Sequence, residues 1–269
     1  MRTLVFLLLV SSPCFAQNGL IEAGARPASM GHAYVAAHDT WSTFYNPAGV
    51  AKTEDISTFF TYENKHGIEG LNVMAAGFSS KLPLGGMSLT AFRFGDDLYN
   101  EQALSLSYGN KFGLASLGVR VNYREFNVEG LGNKKLLTVD VGGIAQFTDQ
   151  LFFGAFIRNI NQAKISDISE ERAPTLLNAG LSYRPTLKIT LNLEIEKGLE
   201  HDSSVKLGAE YKFLEKLAIR TGVSTNPFIN YAGLGFITRK ITIDYALTKS
   251  LDLGMSHQAS VKIKIRAVQ

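Results

Sequence analysis

From Leu187 to Glu196 the chain reads LKITLNLEIE. Leu187, Ile189, Leu191, Leu193 and Ile195 fall on one face of an extended strand, and Lys188, Thr190, Asn192, Glu194 and Glu196 on the other. A helix would spread both sets around its circumference. The same alternation sets Leu117, Val119, Val121 and Tyr123 against Arg120, Asn122 and Arg124, and sets Val205, Leu207, Ala209, Tyr211 and Phe213 against Lys206, Glu210 and Lys212. It returns in Ile241, Ile243, Tyr245 and Leu247 against Asp244, and in Ile263 and Ile265 against Lys262, Lys264 and Arg266. Laid out along the chain, this pattern predicts about fourteen strands, near 55–64, 71–83, 86–96, 100–109, 114–126, 135–147, 151–160, 174–184, 187–197, 203–213, 217–225, 230–238, 241–249 and 256–266. The expected architecture is all-β.

Connections between these segments alternate in character. Longer polar ones are expected over 63–70, 95–101, 127–135, 161–174, 197–203, 225–230 and 249–257, and tight ones over 82–86, 110–113, 148–150, 184–186, 214–216 and 238–240. An even, up-and-down meander with long loops at one end and short turns at the other is the layout of a transmembrane antiparallel β-barrel whose short turns face the periplasm. Aromatic residues point the same way. Tyr108, Phe147, Tyr183, Tyr211, Phe213 and Phe236 share the apolar phase near the ends of even-numbered strands, as an interfacial girdle requires. Tyr62, Tyr123 and Tyr245 suggest a thinner second girdle, while Phe78 reads as out of phase. Alternation alone also fits an exported soluble β-fold, in which the polar face meets water.

Residues 1–16, MRTLVFLLLVSSPCFA, combine one basic residue, an apolar run and a small residue at Ala16. This is the pattern of a secretory signal peptide, too short to span a bilayer. Cys14, the only cysteine, lies within it, so no disulfide is expected in the exported chain. The formal charge of +3 is too small a bias to imply a nucleic-acid partner. The chain ends Arg266-Ala267-Val268-Gln269 without an aromatic residue, so a terminal insertion signal, if used, is degenerate here.

Residues 17–54 differ from every strand-like segment. Small residues crowd Gly24 to Ala37, and Asp39 is placed to cap a short helical turn carrying Trp41, Phe44 and Tyr45. The residue before Pro47 is biased out of the helical region, so that turn ends at Asn46. Asn46 can cap a second turn with Pro47 at its first position, and Gly49 offers an early place to break it. This stretch reads as a plug for the lumen of a barrel formed by residues 55–269. A run of Met30, Gly31, Ala33, Tyr34, Val35 and Ala36, then Asp39, then Tyr45, Asn46, Pro47, Ala48 and Gly49, resembles the N-terminal segment of the FadL/PorV superfamily of outer-membrane barrels. Gly24-Ala25-Arg26 and Met30-Gly31 look closer to the PorV/PorQ branch.

His32, His38, His66, His201 and His257 show no metal-ligand spacing, and no phosphate loop or nucleophile setting is found. Asp96-Asp97 and Glu170-Glu171 read as solvated loop charge. No enzyme and no cofactor are expected. The polar phase places Arg120, Arg124, Lys188, Glu194, Glu196, Lys206, Glu210, Lys212, Asp244, Lys262, Lys264 and Arg266 in the lumen. There they are expected to neutralise one another and hold the plug, leaving little greasy conduit. Resemblance to the PorV/PorQ branch implies an accessory component of type IX protein secretion, with outer-membrane lipid, secretion-system subunits or exported proteins as partners. Resemblance to FadL implies passive uptake of hydrophobic compounds. The charged lumen and modest loops favour the secretion reading at this level.

Overall fold

A computed structural model of the protein describes residues 21–130, 132–165, 172–199 and 202–267, with the side chains of residues 266 and 267 left out. The signal peptide expected over 1–16, residues 17–20, Glu170, Glu171 and His201 lie outside the described residues. A short helix, α1 (Ala25–Ser29), is followed by two 3₁₀ turns over Thr40–Phe44 and Pro47–Lys52. Then come fourteen strands: β1 (Asp55–Asn64), β2 (Asn72–Leu82), β3 (Gly85–Gly95), β4 (Tyr99–Phe112), β5 (Ala115–Val128), β6 (Gly132–Gln146), β7 (Leu151–Arg158), β8 (Leu176–Thr186), β9 (Ile189–Gly198), β10 (Ser204–Leu214), β11 (Leu217–Ser224), β12 (Ile229–Ile237), β13 (Ile241–Ser250) and β14 (Gly254–Ala267). Each pairs antiparallel with its neighbours in the chain, and β1 pairs with β14 to close the barrel. The expected fold class is therefore observed. No sheet edge is left unpaired, as a backbone crossing hydrocarbon requires.

What separates a membrane barrel from a soluble one is the direction of the polar phase. On β9, Leu191, Leu193 and Ile195 are exposed while Asn192 and Glu194 are buried. On β5, Leu117, Val119, Val121 and Tyr123 are exposed while Arg120, Asn122 and Arg124 are buried. The protein is thus polar inside and apolar outside, and only a hydrocarbon environment makes so large an apolar exterior favourable. Tyr108, Phe147, Tyr183, Tyr211, Phe213 and Phe236 are all exposed on this outer surface, as are Tyr62, Tyr123 and Tyr245. Phe78 joins them, correcting its expected phase. Its neighbours Met74 and Ala76 are outward and Ser79 inward, an order hidden by the small apolar residues of β2. This is the fold and surface of an outer-membrane barrel.

One end of the barrel carries two- to four-residue turns, 83–84, 113–114, 147–150, 187–188, 215–216 and 238–240. The other end carries the longest connections, 65–71 and 159–175, but 96–98, 129–131 and 251–253 are shorter than expected. There β4, β5, β6 and β14 extend their pairing into residues whose polarity had suggested loop.

Candidate functional site in the lumen

Residues 21–54 lie inside the barrel and follow its inner wall. The backbone N–H of Ala25 donates to Ser260 Oγ on β14 at 3.1 Å. Ser29 sits on Gly233 of β12, and Met30 and Gly31 sit on Gly208 of β10 and Gly222 of β11. Asn192 Nδ2 on β9 donates to Ala33 O at 2.7 Å, and Glu194 Oε2 accepts the N–H groups of Tyr34 and Val35 at 2.7 and 2.8 Å. Val35 rests on Gly154 of β7, Asn46 on Gly142 of β6, Pro47 and Ala48 on Gly118 of β5, Pro47 and Ala51 on Gly109 of β4, and Val50 on Gly86 of β3. A Cβ at any of these wall glycines would collide with the segment. At most of these points the segment's backbone lies directly on the wall's backbone, and at Gly233 and Gly142 the Ser29 and Asn46 side chains do, an approach only glycine permits.

The local chemistry of the segment follows the caps read from the sequence. Asp39 Oδ1 accepts from the N–H groups of Trp41 and Ser42 at 3.0 and 3.1 Å, and its other oxygen takes Arg26 Nη1 at 2.6 Å. Asn46 is extended and caps the turn that begins at Pro47, with Ala48 N donating to its Oδ1 at 3.0 Å. Its Nδ2 donates to Val35 O at 2.7 Å and to the wall carbonyls Gly143 O at 3.1 Å and Ala155 O at 3.3 Å. Trp41, Tyr45 and Pro47 are buried. Gly49 does not break its turn, which runs on to Lys52. It is instead the point where Ala37 O and the Ser42 side chain press on the backbone, leaving no room for a Cβ.

Charges across the middle of the lumen are matched. Arg120 pairs with Asp140 at 2.7 Å and donates to Thr43 O at 2.6 Å, and Arg124 pairs with Glu101 at 3.3 Å. Lys206 pairs with Glu196 at 2.9 Å. Arg220 bridges Glu210 and Asp244 at 2.6 and 2.8 Å, and Arg26 brings the segment into the same group through Glu210 at 2.8 Å. Glu22 meets Arg158 at 3.0 Å and Lys206 at 3.8 Å. Burial pushes the Glu22 carboxyl up, but Lys206, His32 and Arg158 outweigh it and hold the group well below the usual carboxylate range.

Of the residues expected in the lumen, Arg120, Arg124, Glu194, Lys206, Glu210 and Asp244 are buried and Glu196 nearly so. Lys212 and Lys262 are half-buried, and Lys264 pairs with Asp55 at the barrel's end at 2.6 Å. Lys188 is a correction: it is exposed in the turn 187–188, where the strand it was assigned to has not yet begun. Arg266 lies in β14 opposite Ile56, and its side chain is outside the described residues. Arg26, Glu22, Glu101, Asp140, Arg158 and Arg220 were missed. The alternation of Ala218, Arg220 and Gly222 against Ile219 and Thr221 could have revealed Arg220. No spacing in the sequence links Glu22 to Arg158.

The expectation of a lumen with little greasy surface is also corrected. On one sector of the inner wall Phe59, Val73, Ala75, Phe92 and Ala103, from β1 to β4, pack on Trp41, Phe44 and Tyr34, with Phe94 against them. Two chambers flank the segment. One, about 430 Å³ at the long-loop end, is bounded by Val73, Phe92, Phe94, Ile229, Tyr231 and Leu253 together with Glu22, His32, Lys65 and Lys206. The other, about 580 Å³ at the short-turn end, includes Met30, Tyr34, His38, Phe152, Arg184 and Lys212. The strip from Met30 to Tyr34 thus stands between them. At its centre Gly31 and His32 are left-handed, with φ of 67° and 57°. His32 Nδ1 lies 2.9 Å from Tyr45 Oη and its ring is edge-on to Tyr231. Among the described residues no group of three or more His, Cys, Asp or Glu is placed to hold a metal.

No protein-family model matches this sequence, and no curated protein matches it. Solved structures do. The toluene transporter TbuX of Ralstonia pickettii superposes with a TM-score of 0.72 at 11% identity, over 92% of this chain and 99% of that one. The monoaromatic hydrocarbon channel CymD gives 0.71 at 11% identity, over 93% and 99%. The outer membrane protein Omp33 of Acinetobacter baumannii gives 0.53 at 7% identity, over 79% and 98%. At these identities the likeness is one of fold.

Proposed function

We propose that this chain is a non-enzymatic outer-membrane channel for the passive entry of small hydrophobic molecules, with monoaromatic hydrocarbons as the first class to test. The observation that carries this reading is the apolar sector of the inner wall. Phe92, Phe94 and Val73 line the chamber at the long-loop end, and the same patch continues through Phe59 and Ala103 to the aromatic face of the segment. A channel for ions gains nothing from such a surface, whereas a neutral hydrocarbon is held there by removal of its apolar area from water. That two similarly folded proteins are a toluene transporter and a monoaromatic hydrocarbon channel supports the uptake alternative over an accessory role in type IX secretion. In this reading solute enters the long-loop chamber and crosses the strip from Met30 to Tyr34 that stands between the two chambers.

Uptake of radiolabelled toluene at low external concentration, in an outer-membrane host lacking its own hydrocarbon channels, tests the proposal. Expression of this chain should raise the initial rate, and Phe92→Asp, which places a charge in the apolar sector, should return it to the background rate. Uptake at background in cells with a well-inserted barrel, together with an altered secreted-protein profile in a strain lacking the chain, would favour the secretion reading instead.

A further inference from the structure

The short-turn chamber differs from the rest of the lumen in its charge. Across the middle every arginine and lysine described above has a carboxylate partner. In the chamber two cations have none: Arg184 from β8 and Lys212 from β10 make no ion pair among the described residues. Lys262 on β14 is likewise unpaired among the described residues. A further cation, Lys52 at the end of the segment, has only Gln146 Oε1, at 3.3 Å. Two carboxylates border the chamber. Asp39 is committed to Arg26 at 2.6 Å and to the Tyr34 hydroxyl, and Asp149 is exposed in a turn, taking a hydrogen bond from Gln146.

Two of these cations, Arg184 and Lys52, lie over one ring of the chamber wall. The Arg184 guanidinium and the Lys52 ammonium each lie 4.9 Å from the centroid of Phe152, and the His38 imidazole is edge-on to the same ring at 5.2 Å. Two buried polar atoms of these chamber residues, Arg184 Nε and His38 Nδ1, have no hydrogen-bond partner. Buried polar atoms are ordinarily matched, so the unmatched Arg184 N–H at a cavity wall points to a ligand that accepts from it. His38 senses the local field. Burial first, then the positive charges of Lys52, Arg184 and Lys111, hold its imidazole down at about 3. A low-dielectric cavity whose uncommitted charges are of one sign concentrates the opposite ion. At about 580 Å³ the chamber is of a size that holds a small organic molecule.

We infer that the short-turn chamber is a binding site for a small oxyanion-bearing molecule, a carboxylate or a phosphate, held by Arg184 and Lys212 with its body against Phe152 and Leu187. A guanidinium offers two parallel donors to either oxyanion, and the half-buried lysine supplies the second charge. This goes beyond the hydrocarbon reading and stands without it, since a neutral solute has no use for either cation.

The test is calorimetric titration of the purified, full-length mature barrel in detergent at low ionic strength, with sodium benzoate, inorganic phosphate and toluene as separate probes. At least one anion should bind one to one, more weakly as sodium chloride is raised. Its affinity should fall at least tenfold in the double variant Arg184→Gln, Lys212→Gln and stay unchanged in Arg93→Gln at the far end of the barrel. Binding of benzoate alone identifies a carboxylate on an apolar body, and binding of phosphate alone a phosphate group. The bound anion should also raise the pH at which the His38 ring titrates by NMR. If the double variant fails to show heat-modifiable migration, Lys212→Gln alone, at a half-buried position, gives the same comparison. Failure of both anions to bind the wild type, or equal binding by wild type and folded variant, overturns the inference. Toluene uptake is read separately, so the two proposals fail independently.

Discussion

Asn46→Ala should unseat the N-terminal segment without opening the barrel. Asn46 is fully buried and joins three things: the turn it caps, the stretch at Val35, and the wall at Gly143 and Ala155. Its NH₂ has two hydrogens, so the three carbonyls share two donors, and Oδ1 supplies the cap. Truncation removes roughly three net hydrogen bonds at about 1 kcal/mol each, the cap among them. The total is about 3 kcal/mol, or roughly a 150-fold shift toward the unseated segment. The barrel itself should stand, because its strands satisfy one another's backbone groups around a closed ring. Trp41, the chain's only tryptophan, separates the two events, being buried edge-on against Phe59 at 5.1 Å. In a denaturant titration in detergent, the Trp41 fluorescence midpoint should drop well below that of the wild type, while heat-modifiable migration on a gel stays put. An unchanged Trp41 midpoint, or one that moves only together with barrel unfolding, would refute the reasoning.

Two further outcomes follow from the same contacts. Gly118→Val places a side chain where Pro47 and Ala48 cross β5, so it should expose Trp41 to an aqueous quencher in a barrel that still inserts; the same substitution at Gly143, whose side chain would point away from the segment toward Leu117, should not. Acid should also loosen the segment. Burial, the largest influence, with Lys206 and Lys65, outweighs Glu22 and holds the His32 ring at about 4, against about 6.5 when released. The seated form therefore binds fewer protons. Seating is fully stable above pH 6.5 and weakens as the pH falls toward 4, by on the order of 3 kcal/mol from His32 alone. His32→Asn, which tolerates the left-handed backbone, should flatten that dependence in the Trp41 assay.

The strands were legible because the lumen is polar: wherever Arg, Lys, Asp or Glu marks alternate positions, as in β5, β9 and β10, period and phase are both explicit. In β1 to β3 the inner face is itself partly apolar, with Phe59, Val73, Ala75 and Phe92. There the contrast between faces fades, and both the phase of Phe78 and the apolar sector were lost with it. The caps at Asp39 and Asn46 were readable as local chemistry. The role of Gly49 was not, because it depends on Ala37 and Ser42 folding back onto it. Neither was the line of wall glycines, since a glycine in a strand declares a close approach only once the path of the approaching chain is known. The unpaired cations of the short-turn chamber were hidden for the converse reason. Arg184 looks like any charge beside a turn, and Lys212, though legible as a lumen residue, does not declare itself unpaired until the carboxylates elsewhere prove to be committed.

The central claim is that residues 21–54 fill the lumen and divide it in two. Single-channel recording in planar bilayers, comparing the wild-type barrel with one lacking Asp39–Gly49, tests it most directly. The wild type should pass little ionic current. The deletion should insert and conduct steadily, because a fourteen-strand ring encloses more space than its own inward side chains fill. Equal conductance from a deletion that retains heat-modifiable migration would contradict the account and place the segment outside the conduction path.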